Sequence, residues 1–131
     1  MIVKELGLNP QETTGLSTAA SMDKAAIQRA TFEDISVTAI VTGGVEKNGC
    51  RAGDPASFHE RGEKIESLAA GTINIVLLID ADLTPGALTN ALVTCTEAKT
   101  AALQELMAGS NYSHGLATGS GTDGIVYGSV K

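Results

Sequence analysis

The chain has 131 residues, of which 43% are hydrophobic and 18% charged, so it has the apolar content of one folded domain and intrinsic disorder is disfavoured. Its 9 Lys and Arg against 15 Asp and Glu give a net charge of −6 at pH 7, so binding to nucleic acid or to an anionic membrane is not predicted. No apolar run is long enough to span a bilayer and no signal peptide is visible, so a cytoplasmic location is expected.

The first half of the chain is predicted to consist mainly of β-strands. A short strand is expected over 14–21, introduced by an Asn-Pro pair and a glycine. Aliphatic and hydroxyl side chains alternate over 35–42, which predicts a strand that forms a hairpin with a preceding strand over 25–32. The following stretch is irregular, with one or two helical turns expected around 57–68.

The second half is predicted to supply the central strand and the helix. A near-continuous apolar run over 72–80 predicts a strand covered on both faces, in which Thr72 and Asn74 share one face and point toward a pocket. A last strand is expected over 125–130. We therefore predict an α+β fold, with a layered, mixed or mostly antiparallel sheet and one long helix, about 85–107, packed on a face.

The long helix is predicted to begin with Thr84 as its N-cap and Pro85 as its first residue, and to end before Gly109. Its apolar positions fall on one face, with Lys99 near the centre of that face and Glu97 on the opposite, solvated side. A lysine in an apolar face must reach solvent, find a carboxylate or border a cavity. It acts either as a structural ion-pair partner or as a cation that stabilises an oxyanion.

The first of two glycine-rich loops, 49–55, combines a cation and an anion with flexible glycines. Arg51, Gly53 and Asp54 lie in it, and such a loop lets backbone N–H groups approach a ligand while the charged side chains fix its polar edge. An ordinary Asp-Pro turn with a surface arginine is the alternative.

The second glycine-rich loop, 118–124, resembles a phosphate-binding loop only superficially. It lacks the Gly-Lys-Ser/Thr ending, and a strand rather than a helix follows it, so a plain hairpin turn is the alternative. Its candidate ligand-binding residues are Gly119, Ser120, Gly121 and Thr122. Asp123 in this loop and Asp54 in the first are the two carboxylates expected to pair with Lys99.

The remaining reactive side chains form no recognisable site. Cys50 and Cys95 lack a CxxC pattern, and His59 and His114 lack the spacing of paired metal ligands. Neither a disulfide framework nor a metal site is therefore predicted.

Several segments, taken in order, resemble the adenosylcobinamide amidohydrolase family. They include Arg-Ala-Gly-Asp-Pro-Ala at 51–56 and Ala-Thr-Gly-Ser-Gly-Thr-Asp-Gly at 117–124. The others are 37–45, 71–75, 85–88, 91–94 and 96–106, and the match is collinear over about 6–127. Residues 1–131 are accordingly expected to form one domain of this kind, which in the family continues beyond both ends.

The resemblance implies an archaeal-type enzyme of cobalamin salvage. Such an enzyme hydrolyses the amide that joins aminopropanol to the corrin ring of adenosylcobinamide, giving adenosylcobyric acid and 1-amino-2-propanol. Its partner is a small-molecule corrinoid, a homo-oligomer is compatible with it, and no cofactor is needed because the cobalt belongs to the substrate. A non-catalytic corrinoid or nucleotide binding module is the alternative.

Amide hydrolysis needs an activated water or nucleophile, donors for the oxyanion and an acid for the leaving amine. On this basis Asp54 or Asp123 is predicted to activate water, and Lys99 with loop N–H groups to stabilise the oxyanion. The groups expected to orient the substrate are Arg51, Thr72 and Asn74.

Overall fold

The computed structural model describes residues 2–55, 60–61, 64–65 and 71–129. It has a four-stranded mixed sheet and one long helix, which confirms the predicted α+β class. The strands are β1 (Ala26–Phe32), β2 (Ile35–Gly43), β3 (Glu60–Arg61), β4 (Lys64–Ile65), β5 (Ile73–Ile79) and β6 (Gly124–Ser129). The helices are α1 (Ile2–Glu5), a short 3-10 helix (Met22–Lys24) and α2 (Pro85–Glu105).

The main sheet has the strand order β1-β2-β5-β6. The predicted hairpin is confirmed, because β1 pairs antiparallel with β2 from Ala26↔Val41 to Phe32↔Ile35. β2 also pairs antiparallel with β5, whereas β5 pairs parallel with β6. The parallel pair requires a crossover connection, and α2 supplies it.

The core lies between the sheet and α2. Ile73 and Ile75 of β5 are buried against Cys95 and Leu103 of the helix. The prediction that the central strand is covered on both faces holds for its first half only, because Leu78 is 43% exposed.

The helix begins as predicted and ends slightly earlier. The Thr84 hydroxyl accepts a hydrogen bond from the Ala87 N–H at 3.3 Å, with Pro85 as the first helical residue. After Glu105 the N–H groups of Met107 and Ala108 donate back to carbonyls of the last turn, at 3.0 and 2.9 Å. This is a Schellman ending, in which Met107 rather than a glycine takes the left-handed conformation, at φ 53°.

Two sequence predictions are wrong. Residues 14–21 form no strand; this segment is held instead by its side-chain and loop contacts, such as the Asn74 amide donating to the Ser17 carbonyl at 2.8 Å. Within 57–68 the described residues form the antiparallel pair β3–β4 rather than helical turns, consistent with the poor helix propensity of the glycine at position 62. The rest of 57–68 and the last residue of the predicted strand 125–130 lie outside the described residues.

In the part of the chain that the structure describes, no helix is long and apolar enough to cross a membrane.

Gly71 lies where the chain enters β5 and has no room for a side chain. Its φ is +144°, and a Cβ atom there would contact the Asn48 side-chain oxygen and, at 2.7 Å, the Gly44 carbonyl. We expect Gly71→Ala to destabilise the protein by about 1–3 kcal/mol in urea unfolding. Gly86→Ala is the matched control, because a Cβ at this α2 position has no neighbour within 4 Å, so stability should stay equal or rise slightly. Equal effects of the two substitutions would contradict this account.

Candidate functional site

The two predicted glycine-rich loops are joined to each other at one end of the sheet. The Cys50 N–H donates to the Gly119 carbonyl at 2.9 Å, and the Thr118 N–H donates to the Cys50 carbonyl at 2.8 Å. The Ala52 N–H also donates to the Thr118 hydroxyl at 2.9 Å. These bonds hold the segment that follows β2 against the segment between α2 and β6.

Lys99 lies on the sheet-facing side of α2, as its spacing predicts. Its Nζ atom is 2.6 Å from Oδ2 of Asp123, and the two side chains are only 12% and 11% exposed. Of the two carboxylates considered as partners, the structure therefore pairs Lys99 with Asp123.

Asp123 is also the hydrogen-bond hub of the second loop. Besides the ammonium of Lys99, its carboxylate accepts hydrogen bonds from the Ser120 N–H at 3.2 Å, from the Ser120 hydroxyl and from the Ile73 N–H at 3.1 Å. Both carboxylate oxygens are thus engaged, which ties together α2, the second loop and the start of β5. A carboxylate so occupied is better placed to hold Lys99 and the loop than to accept a proton from water.

Asp54 sits in a more open setting. Its Oδ2 atom accepts hydrogen bonds from the Ser110 hydroxyl at 2.6 Å and from the Arg51 N–H at 2.7 Å, and the residue is partly exposed. Hydrogen bonds from Ser110, then from Ser113 and from the Arg51 backbone, hold the pKa of Asp54 below its usual value. The carboxylate is therefore ionised at neutral pH.

This lowered pKa makes a prediction about acid stability. A carboxylate whose pKa falls on folding stabilises the native state above its unfolded pKa, and the contribution is lost as pH falls through the folded value. We expect Asp54→Asn to be less stable than wild type in urea at pH 7, and this difference to shrink below about pH 4. The same substitution at exposed Asp34 is the control. A difference that stays constant from pH 7 to pH 3 would contradict the linkage.

Cys50 lies where the two glycine-rich loops are joined, paired with Gly119. Burial raises the pKa of its thiol, the carboxylates of Asp123 and Asp54 raise it further, and the ammonium of Lys99 acts in the opposite direction. The thiol is therefore protonated at neutral pH, which disfavours a nucleophilic role. The hydrogen bonds also place Cys50 beside the ion pair, because it pairs with Gly119, where a Cβ atom would lie 3.0 Å from Nζ of Lys99.

The other predicted binding residues divide by exposure. Arg51, Gly53 and Gly121 are exposed and Thr122 is partly exposed, and Gly53 and Gly121 have φ angles of 98° and 75°, which favour glycine. In contrast, the buried residues of the predicted set are Thr72, Asn74, Gly119 and Ser120.

The buried members have hydrogen-bond partners within the protein. The Thr72 hydroxyl donates to the Thr122 carbonyl at 2.7 Å, and Ser120 is only 1% exposed. Strand alternation places Asn74 on the sheet face opposite Ile73 and Ile75, which face α2, so Asn74 and Lys99 lie on different sides of the sheet. The structure therefore places on opposite sides of the sheet two residues that the sequence analysis assigned to one site.

Sequence reasoning missed two residues that hold the loops. Asn48 is 4% exposed and donates from its amide to the Gly71 carbonyl and, at 3.4 Å, to the Ser120 carbonyl. Ser110 donates to Asp54 across the joined loops. An Asn-Gly pair at 48–49 signals a turn, whereas nothing in the sequence marks Ser110.

Together these features define an α+β domain with a cluster of polar loops at one end of its sheet. A family model described as adenosylcobinamide amidohydrolase matches residues 1–130, and the chain belongs to this family. It is 38% identical over 136 residues to an uncharacterized protein, MJ1613, of Methanocaldococcus jannaschii, which covers 95% of this chain and 53% of that protein. The chain thus spans about half the length of this relative. No solved structure was found to match it.

Proposed function

We propose that this protein hydrolyses the amide bond between aminopropanol and the corrin ring of adenosylcobinamide, in the cytoplasm. Membership of the family supports this reaction class. The observation that carries the proposal for this chain is the joining of the two loops, which brings the Lys99–Asp123 pair, beside Gly119, next to the loop that carries Asp54.

Asp54 is the better candidate for the base that activates water. Asp123 already accepts bonds from Lys99, Ser120 and Ile73, whereas Asp54 is partly exposed and ionised. In the proposed step Asp54 takes a proton from water as the water oxygen bonds to the amide carbon. The C–N bond then breaks, the nitrogen takes up that proton, and the products are adenosylcobyric acid and 1-amino-2-propanol.

Lys99 is proposed to stabilise the oxyanion that forms during this attack. Its ammonium is held by Asp123 in a largely buried setting, where a fixed charge acts more strongly than in water. Exposed N–H groups of the loops would complete the set of donors. Asp123 then serves as the residue that positions Lys99.

Substrate contact is proposed mainly for the exposed part of the loops. Arg51, Gly53, Gly121 and Thr122 can reach a bulky ligand, whereas Thr72, Gly119 and Ser120 would support the loops from beneath. Asn74 would instead hold the 14–21 segment through its bond to the Ser17 carbonyl. The net charge of −6 is complementary to the positive charge at the centre of the corrinoid.

The direct test is to incubate the purified chain with adenosylcobinamide and to measure both products by mass spectrometry. We expect equal amounts of adenosylcobyric acid and 1-amino-2-propanol, and at least about a hundredfold slower release with Asp54→Asn. Failure of the folded wild-type chain to release either product would contradict the proposal for this chain.

A non-catalytic corrinoid-binding module is the second candidate, because the chain spans about half of its relative. Titration with adenosylcobinamide separates the two functions. Saturable binding without release of aminopropanol would favour the binding module, and binding with release would favour the enzyme.

A further inference from the structure

A large apolar groove runs between the sheet and α2. Its volume is about 780 Å³, its floor comes from β2 and β5, and one wall comes from α2. Val41 and Ile75 lie in the floor, and Ala98 and Ala102 lie in the helix wall.

The groove exists because of the way α2 packs. The helix makes its main contacts with β6 at one edge of the sheet, so its apolar side does not close over β2. Three of the α2 residues that line the groove have small side chains: Ala91, Ala98 and Ala102. Leucines at these positions would narrow the groove. Ala39 on β2 faces the same space from the floor.

The groove carries charged residues at one end only. Of the described residues that line it, Glu46 and Lys99 are the charged ones. Lys99 pairs with Asp123, whose carboxylate also accepts a hydrogen bond from the N–H of Ile73. The charged end of the groove therefore lies at the start of β5, beside the joined loops. A ligand in the groove would therefore have an apolar body and a polar group directed at Lys99.

We infer that this groove receives the hydrocarbon edge of the corrin ring and so directs the scissile amide toward Lys99. The inference rests on the proposed function. The volume lies within the roughly 300–1,000 Å³ of small-molecule sites, and such sites are mostly apolar with a few fixed polar groups. The methyl and methylene groups at the edge of the ring can contact the apolar floor, and an amide-bearing side chain can reach the charged end.

Substitution of the helix wall tests the inference. Ala98→Leu fills the groove, and Ala101→Leu is the matched control, because Ala101 is an equally exposed alanine of α2 that does not line the groove. In equilibrium dialysis with adenosylcobinamide we expect Ala98→Leu to weaken binding about tenfold and Ala101→Leu to change it by less than about twofold. Ala39→Leu fills the groove from the sheet side and should act like Ala98→Leu. Equal binding by folded Ala98→Leu, Ala39→Leu and Ala101→Leu would overturn the inference.

A measurement on the unsubstituted protein gives an independent answer. Cys95 lines the groove and Cys50 lies in the joined loops. We expect bound adenosylcobinamide to slow the alkylation of Cys95, and mass spectrometry measures the extent of alkylation at each cysteine. Protection of Cys50 alone would overturn the groove inference and leave the proposed function standing. Protection of Cys95 without product release would support the groove and contradict the proposed function.

An apolar groove could also bind a second copy of this chain, and light scattering tests for such a dimer. A dimer that Ala98→Leu dissociates, with corrinoid binding unchanged, would overturn the inference. A wild-type chain that shows neither protection nor product release would contradict both proposals.

Discussion

Asp123→Asn is expected to destabilise the protein by about 3 kcal/mol and to reduce product release below detection. Asparagine keeps the shape of the side chain but removes the charge that balances Lys99, whose side chain is only 12% exposed. It also places an NH₂ group where the carboxylate accepts bonds from Lys99, Ser120 and Ile73. Urea unfolding measures the stability, and release of 1-amino-2-propanol measures the activity.

Lys99→Met is the matched control for Asp123→Asn, because it removes the other partner of the ion pair. Methionine keeps an unbranched apolar stem, and the carboxylate of Asp123 still accepts hydrogen bonds from Ser120 and Ile73, so the loss of stability should be smaller, at about 1–2 kcal/mol. The double variant should lose less than the sum of the single variants, because each single substitution already breaks the pair. Strictly additive losses would show that the pair does not stabilise the fold.

The features that could be predicted from the sequence are those that neighbouring residues encode. The N-cap at Thr84 with Pro85 after it, and the period-2 pattern of β2, depend on residues a few positions apart. Lys99 was identifiable because helical spacing alone places it among apolar positions, and that placement is confirmed. The same helical spacing places Glu97 on the exposed side of α2, where the structure has it.

The features that could not be predicted depend on contacts between distant residues. Asp54 and Asp123 looked alike in their glycine-rich loops, and only the closing of the chain decides that Asp123 reaches Lys99. The sequence predicts that Asn74 lies within a strand, but no local pattern indicates which face of the sheet α2 covers. The same holds for Ser110, whose partner is more than fifty residues away in the sequence.

Asp54→Asn is expected to lower kcat/KM by about 10²–10⁴-fold, the range attributed to a general base. The amide cannot accept the proton of the attacking water, while its shape preserves the loop, so the variant should still unfold cooperatively and bind adenosylcobinamide. Asp34→Asn, at an exposed carboxylate in the β1–β2 turn, should retain wild-type activity. Full activity in a folded Asp54→Asn variant would exclude Asp54 as the base.

Ser110→Ala separates a basic role of Asp54 from a merely structural one. The Ser110 hydroxyl is the largest cause of the lowered pKa of Asp54, so its removal should move that pKa upward toward the usual value for Asp. If Asp54 is the base, activity requires its ionised form, and the acid limb of the kcat/KM profile should shift to higher pH while the rate above that limb is kept. A structural role predicts a uniform loss of rate without a shift of the limb, so the two profiles distinguish the roles.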